Sequence, residues 1–299
     1  MLLMPAALFH RQRVLLSLLQ LQGGACTKIS LLKQVFLLCR EEAKQDIYDF
    51  HPYLFGPFSL TLYADLRALE RRGYLRQTDE AVLLHKNDAD SAERIGPELS
   101  AALSAVVDKY GKRTDSAMLR EVYTRYPYFA IRNPRCGKRY AAADPQHDPL
   151  RQEPTIFSIG YEGKSIDRFL DELIVHNIHV LVDIRHNPKS MKYGFSFPKL
   201  RELCEARGIG YATIPALGIV SDKRQSLETP EDYVSLFEEY ERTTLAVGNA
   251  YLEQIAGLLR AKKRIALMCF EKDVACCHRS KTSERLKQYC SNDYELIHL

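Results

Sequence analysis

Apolar positions in the first third of the chain recur at helical spacing. Val14, Leu15, Leu18, Leu19 and Leu21 form one face of a helix over Arg11 to Gln22 that stops at the Gly23-Gly24 pair. Thr27 is placed to cap a second helix, whose buried face is Ile29, Leu31, Leu32, Val35, Phe36 and Leu38. An aromatic loop from Tyr48 to Ser59 follows, and Ser59 starts a third helix carrying Leu60, Leu62, Leu66 and Leu69 up to Gly73. Tyr74 to Arg76 and Ala81 to His85, parted by a polar turn, predict a β-hairpin.

From residue 154 the pattern changes. Thr155 to Gly160 is a β-branched and aromatic run, and Ser165 caps a helix burying Ile166, Phe169, Leu170 and Leu173. Strands at 179–185, 210–214, 264–269 and 294–298 alternate with helices at 199–207, 232–259 and 280–288. That alternation predicts a Rossmann-like α/β domain with a mainly parallel sheet and ligands at the carboxyl ends of its strands. Three helices followed by a hairpin is a winged-helix order, so a mostly helical winged-helix-like domain is expected over 1–132. The polar, Pro-containing stretch 133–153 reads as a linker, with the α/β domain over 154–299. Cys136 and His147 in that stretch do not make a metal site.

Composition adds little beyond bounds. The chain has 299 residues, 46% of them apolar, which suffices for two cores, and its formal net charge of +4 is too mild to argue for nucleic acid by itself. Eight scattered cysteines lack disulfide-scaffold spacing, and the apolar N-terminus lacks a basic leader, so a reducing cytoplasm and no membrane partner are expected. Oligomeric state is not legible.

Tyr53-Leu54-Phe55-Gly56-Pro57-Phe58-Ser59 followed by Asp65-Leu66-Arg67-Ala68-Leu69 resembles the Y-x-x-G-P-x-S and D-L-x-x-L motifs of small bacterial helix-turn-helix proteins, the YwgA-like and phage-associated antitoxin-like families. Leu119 to Ala130 resembles their terminal helix. The resemblance implies a transcription factor or a protein-binding adaptor; from the residues themselves, Arg67, Arg71, Arg72 and Arg76 suit phosphate contact if the third helix enters a groove, against protein–protein packing or a solvated helix face. Tyr53, Phe55 and Phe58 are expected in the core rather than as base-stacking platforms.

In the second half, Ser158 to Tyr161, Leu181 to Ser190, Gly194-Phe195-Ser196, Gly208 to Tyr211, Leu217-Gly218-Ile219, Met268 to Glu271 and Cys277 to Ser280 together resemble the family called domain of unknown function 488. That family name implies no chemistry, so the residues must supply it. Gly160 and Tyr161 follow the first strand, Asp183, Arg185 and Lys189 the second, and Lys223 the third. Cys269, Glu271, Cys277, His278, Arg279 and Ser280 follow the fourth. Arg185, Lys189, Lys192, Lys223, Arg224 and Arg279 are expected to face one mouth, which favours an anionic small molecule, a nucleotide or a nucleic-acid backbone.

Three chemistries compete for the loop after the fourth strand. Cys269 or Cys277 suits a nucleophile favoured by His278, Arg279 and the next helix, although no Cys-x5-Arg cradle is present. Glu271 with Asp183 suits acid–base or electrostatic catalysis, with Arg185 and Arg279 holding the anion; Glu271 and Arg279 equally suit a structural ion pair. Zinc on Cys269, Cys277 and His278 is not expected, because adjacent Cys and His seldom point at one ion and there is no Cys-x2-Cys pair. No cofactor is identified. The expectation is an enzyme hydrolysing or modifying a nucleotide, DNA or RNA, with the first domain presenting the substrate. The alternative is a ligand-sensing DNA-binding regulator without turnover.

Overall fold

A computed structural model describes residues 7–43, 47–85, 95–137, 139, 153–224, 227, 229–291 and 293–299, apart from the side chains of 221, 224 and 230. Most of the stretch read as a linker, including His147, lies outside the described residues. The chain divides into two compact units, Met1–His147 and Asp148–Leu299. Among the described residues no helix is long and apolar enough to cross a membrane.

The first unit is mostly helical. It comprises α1 (His10–Leu21), β1 (Ala25–Thr27), α2 (Lys28–Leu37), β2 (His51–Tyr53), β3 (Gly56–Phe58), α3 (Leu60–Arg71), β4 (Leu75–Gln77), β5 (Ala81–Leu84), α4 (Pro97–Tyr110) and α5 (Asp115–Arg125). The caps form at the expected residues. Thr27 Oγ1 accepts from the Ser30 N–H at 3.0 Å and Ser59 Oγ from the Leu62 N–H at 3.3 Å. Strands β1, β5 and β4 make one antiparallel sheet in that order.

The aromatic loop contains the β2–β3 hairpin. At its turn Gly56 has φ +90°, and a Cβ there would lie 2.8 Å from Tyr123 Cε1. The carbonyl of Pro57 accepts from the buried Lys33 ammonium at 2.9 Å. The Gly-Pro motif is therefore internal scaffolding of this unit. Phe58 packs against the rings of His51, Tyr53 and Tyr63 as a core residue does. Phe55 departs from the expectation: it sits in the hairpin turn beside Leu54 and is 58% exposed.

The second unit is a five-stranded, wholly parallel sheet in the order β10-β6-β9-β7-β8, from β6 (Thr155–Gly160), β7 (Val180–Asp183), β8 (Gly210–Thr213), β9 (Arg264–Cys269) and β10 (Glu295–His298). Between them run α6 (Ile166–Val175), α7 (Phe197–Glu205), α8 (Pro230–Tyr240), α9 (Asn249–Lys262) and α10 (Arg279–Tyr289). Every residue of β9 is buried, as expected for a central parallel strand with both faces covered. Ile265 and Leu267 share one core with Ile156, Val180 and Val182, under Leu252, Ile255 and Leu259 of α9 and Leu286 of α10.

The chain leaves β6 and β7 in one direction along the sheet and leaves β9 in the other. Central β9 is thus flanked on both sides by strands that exit the opposite way, which opens a crevice at its carboxyl end. The amino end is closed. There the Arg264 guanidinium donates to the carbonyls of His176 (2.9 Å) and Glu153 (3.0 Å) and to Thr155 Oγ1 (3.1 Å).

Candidate active site

The exits of β6 and β9 are locked together by the backbone. Gly160 pairs with Cys269, and the N–H groups of Tyr161 and Glu162 both donate to the Phe270 carbonyl, at 3.1 and 2.8 Å. From the first turn of α10 the buried Arg279 reaches back into this loop. Its Nη1 donates to the Glu271 carbonyl and its Nη2 to that of Lys272 at 2.9 Å. Gly160 has no side chain because there is no room for one: a Cβ there would overlap the Glu271 carbonyl and touch Arg279. Arg279 therefore holds the loop closed from inside.

The exit of β7 is tied by a second knot. The Asp183 carboxylate accepts from Arg185 Nε (2.8 Å), Arg185 Nη2 (2.6 Å), the Arg185 N–H (3.1 Å) and the Tyr211 hydroxyl (2.5 Å). The same guanidinium donates to the Tyr161 hydroxyl at 2.9 Å and the Phe195 carbonyl at 3.0 Å. Burial lowers the Arg185 pKa, but the hydrogen bonds and charge of Asp183 outweigh it and hold the group above its ordinary value. Burial, then the Asp183 charge, push Tyr211 up, so its hydroxyl stays a donor. Asp183 is fully buried and does not line the crevice.

Between these knots lies a thiol–imidazole centre. His278 Nε2 lies 3.2 Å from the Ile184 carbonyl, which can only accept, so Nε2 carries the proton. Nδ1 is left as an acceptor, 3.6 Å from Cys269 Sγ. The Cys269 thiol is also 3.2 Å from Glu271 Oε2, so one proton has two acceptors. Cys277 completes the group: the ligand atoms of Cys269, Cys277 and His278 all lie within 4.8 Å of one another, and all three residues are buried. Burial pushes the Cys277 thiol well above its ordinary range, and the contact with Cys269 pushes it further. The crevice over this centre has a volume of about 150 Å³. It is lined by Tyr161, Arg185, His186, Asn187, Ile219, Cys269, Phe270 and His278.

Of the residues expected from sequence, Gly160, Tyr161, Arg185, Cys269, Glu271, Cys277 and His278 gather at or under this crevice. The expected cations do not share one mouth. Lys223 bonds Glu239 at 2.6 Å beside a separate cavity of about 170 Å³, Arg279 borders another with Glu162 and His298, and Lys189 is exposed. Arg224's side chain is outside the described residues. Ser280 Oγ donates to the Cys277 carbonyl at 2.8 Å and lines yet another cavity. Arg67 and Arg71 lie exposed on α3, and Arg72 stacks over Tyr74 with 5.4 Å to the ring centroid. Contrary to the expectation that adjacent Cys and His point apart, the ligand atoms of Cys277 and His278 converge, because a turn precedes α10 at this point.

Sequence reasoning does not single out Tyr211, the Ile184 carbonyl or Tyr240. The ring of Tyr240 meets His278 edge-on at 5.5 Å, and its hydroxyl donates to the Leu217 carbonyl at 2.6 Å. Tyr211 is visible in the sequence only as the end of the Gly208 to Tyr211 stretch of the family resemblance, with no role attached; for Tyr240 core spacing hides the polar role. A search of curated proteins finds no match to this chain. Residues 165–286, from the cap of α6 into α10, match the family model described as "Domain of unknown function DUF488", and it is to that family that the α/β unit is similar.

Proposed function

We propose that the protein is an enzyme that hydrolyses or modifies a nucleotide or nucleic acid at the crevice beyond β9. The observation carrying this reading is the Cys269–His278–Glu271 constellation: a buried imidazole of fixed tautomer against a thiol that also meets a carboxylate, beside an open crevice. Structural packing alone needs no such convergence of titratable groups. The anionic substrate class is supported by Lys192 of the β7 exit loop, whose ammonium donates to the carbonyl of the crevice residue Tyr161 at 2.8 Å. The first unit supports a polymer: its helix–strand–helix–helix–hairpin order is winged-helix-like, with Arg67, Arg71 and Arg76 exposed on α3 and β4. Eight cysteines that form no disulfide among the described residues support a cytoplasmic setting.

The test incubates the purified chain with single- and double-stranded DNA, RNA and nucleotides at low salt, and compares Glu271→Gln. Turnover that Glu271→Gln lowers by at least about tenfold, without loss of binding, supports the reading. Ligand-dependent DNA release with no turnover indicates the regulator instead. No retardation of any nucleic acid and no thermal shift with any nucleotide ends both.

A further inference from the structure

We propose that Cys269, Cys277 and His278 form a three-ligand site for a zinc-class divalent cation, with its fourth position open to the crevice. Zinc bonds of about 2.3 Å to sulfur and 2.0–2.1 Å to nitrogen, at tetrahedral angles, separate sulfur from nitrogen by about 3.6 Å and two sulfurs by about 3.8 Å. Cys269 Sγ and His278 Nδ1 stand 3.6 Å apart, and no pair among the three ligand atoms exceeds 4.8 Å. Side-chain shifts of about an ångström or less would close the set around one ion.

The imidazole is prepared for this role. A backbone carbonyl, that of Ile184, accepts the hydrogen bond from Nε2–H and leaves the Nδ1 lone pair toward the thiols, the arrangement by which proteins orient a metal-bound histidine. A simple dithiol pair has no use for a third, nitrogen ligand so directed. Two thiolates and an imidazole are a soft donor set, which selects zinc-like ions over magnesium or calcium. With both thiols ionised the filled site is electrically neutral, so its burial carries little desolvation penalty. Binding exchanges two thiol protons for one dication; Glu271 Oε2, 3.2 Å from Cys269 Sγ, is placed to take the first and pass it to water. Cys269 and His278 line the crevice and Cys277 does not, so the uncovered side of the ion faces the crevice.

The inference names what the constellation of the proposed enzyme holds, yet its test needs no turnover. The full chain, purified under reducing conditions without metal-affinity steps, is analysed by elemental mass spectrometry and then stripped and titrated with cobalt(II). Expected are about one zinc per chain and thiolate-to-cobalt charge-transfer bands. Cys269→Ser, Cys277→Ser and His278→Gln should each lower retained zinc by at least about tenfold, whereas Cys276→Ser should keep it. The wild-type cobalt spectrum stands even if a variant fails to fold. The proposal is overturned if wild-type protein neither carries zinc nor gives the cobalt bands, if Cys269→Ser and Cys277→Ser retain zinc, or if Cys269 and Cys277 are found as a disulfide under reductant. Zinc without turnover keeps the site and sinks the enzyme; turnover by a protein that neither carries zinc nor gives the cobalt bands does the reverse.

Discussion

Lys33 sets the sharpest expectation at the scale of single residues. Burial lowers its pKa to about 7, against the smaller upward pull of the Asp115 charge. Below pH 7 the lysine is charged whether folded or unfolded, and the full penalty for burying that charge is present. Between about 7 and 10.4 only the unfolded chain keeps the proton, so stability rises with pH, by up to about 5 kcal/mol. Lys33→Met removes that penalty and leaves the Pro57 carbonyl without its donor, a loss of about 1–3 kcal/mol. The first effect is larger. The variant should therefore be more stable at pH 7, with a flatter stability–pH curve, as urea unfolding at several pH values will show. Asp183→Asn acts the other way. It leaves the buried Arg185 without a countercharge and should lower stability by about 3 kcal/mol. At this scale residue type was readable and direction was not. Cys269 and His278 stand out in the sequence by their chemistry, but nothing in the letters of Arg279 tells that two carbonyls of its own loop await it.

Elements were more legible than residues, because contiguous apolar runs and caps carry their own physics. The interval of β9 is read from sequence as it stands, and Thr27, Ser59 and Ser165 cap where their side chains can reach. The helix read over 232–259 is instead interrupted. A π-turn over Glu241–Leu245 separates α8 from α9, and it lets Tyr240 and Leu245, five apart, both be buried where α-helical spacing would separate them. Helix α4 is absent from the predicted elements although Leu99, Leu103, Val106 and Tyr110 carry the spacing. The close approach of the β6 and β9 exits yields a further expectation. Gly160→Ala must push the Glu271 carbonyl away from its place beside Arg279, so the loop bearing Cys269 and Glu271 shifts while the sheet persists. Far-ultraviolet circular dichroism should stay near wild type and the proposed metal occupancy should fall. A Gly160→Ala protein that keeps full zinc would show the loop free to move without disturbing the site.

For the molecule as a whole, the α/β architecture follows from strand–helix alternation, whereas the strand order does not, since it depends on which crossovers skip a neighbour. The proposed nucleic-acid role is tested at this scale by ionic strength. Each arginine–phosphate contact contributes about 0.9 to the slope of log K against log salt, so replacing Arg67 and Arg71 together by alanine should reduce its magnitude by about 2, whatever the sequence bound. An unchanged slope would place the contact elsewhere or nowhere. The strand order also bears on handling the α/β unit in isolation. The family-matched stretch begins at residue 165 and ends at 286, so a fragment cut to it would lack both β6 and β10. Strand β9 would then become a sheet edge, with the unpaired backbone of Ile265–Met268 and its uncharged side chains exposed, and Arg264 would lose Glu153 and Thr155 as partners. Such an edge is a template for self-association, so the fragment should precipitate or form intermolecular β-structure, while one begun before Glu153 and carried through His298 should remain monodisperse.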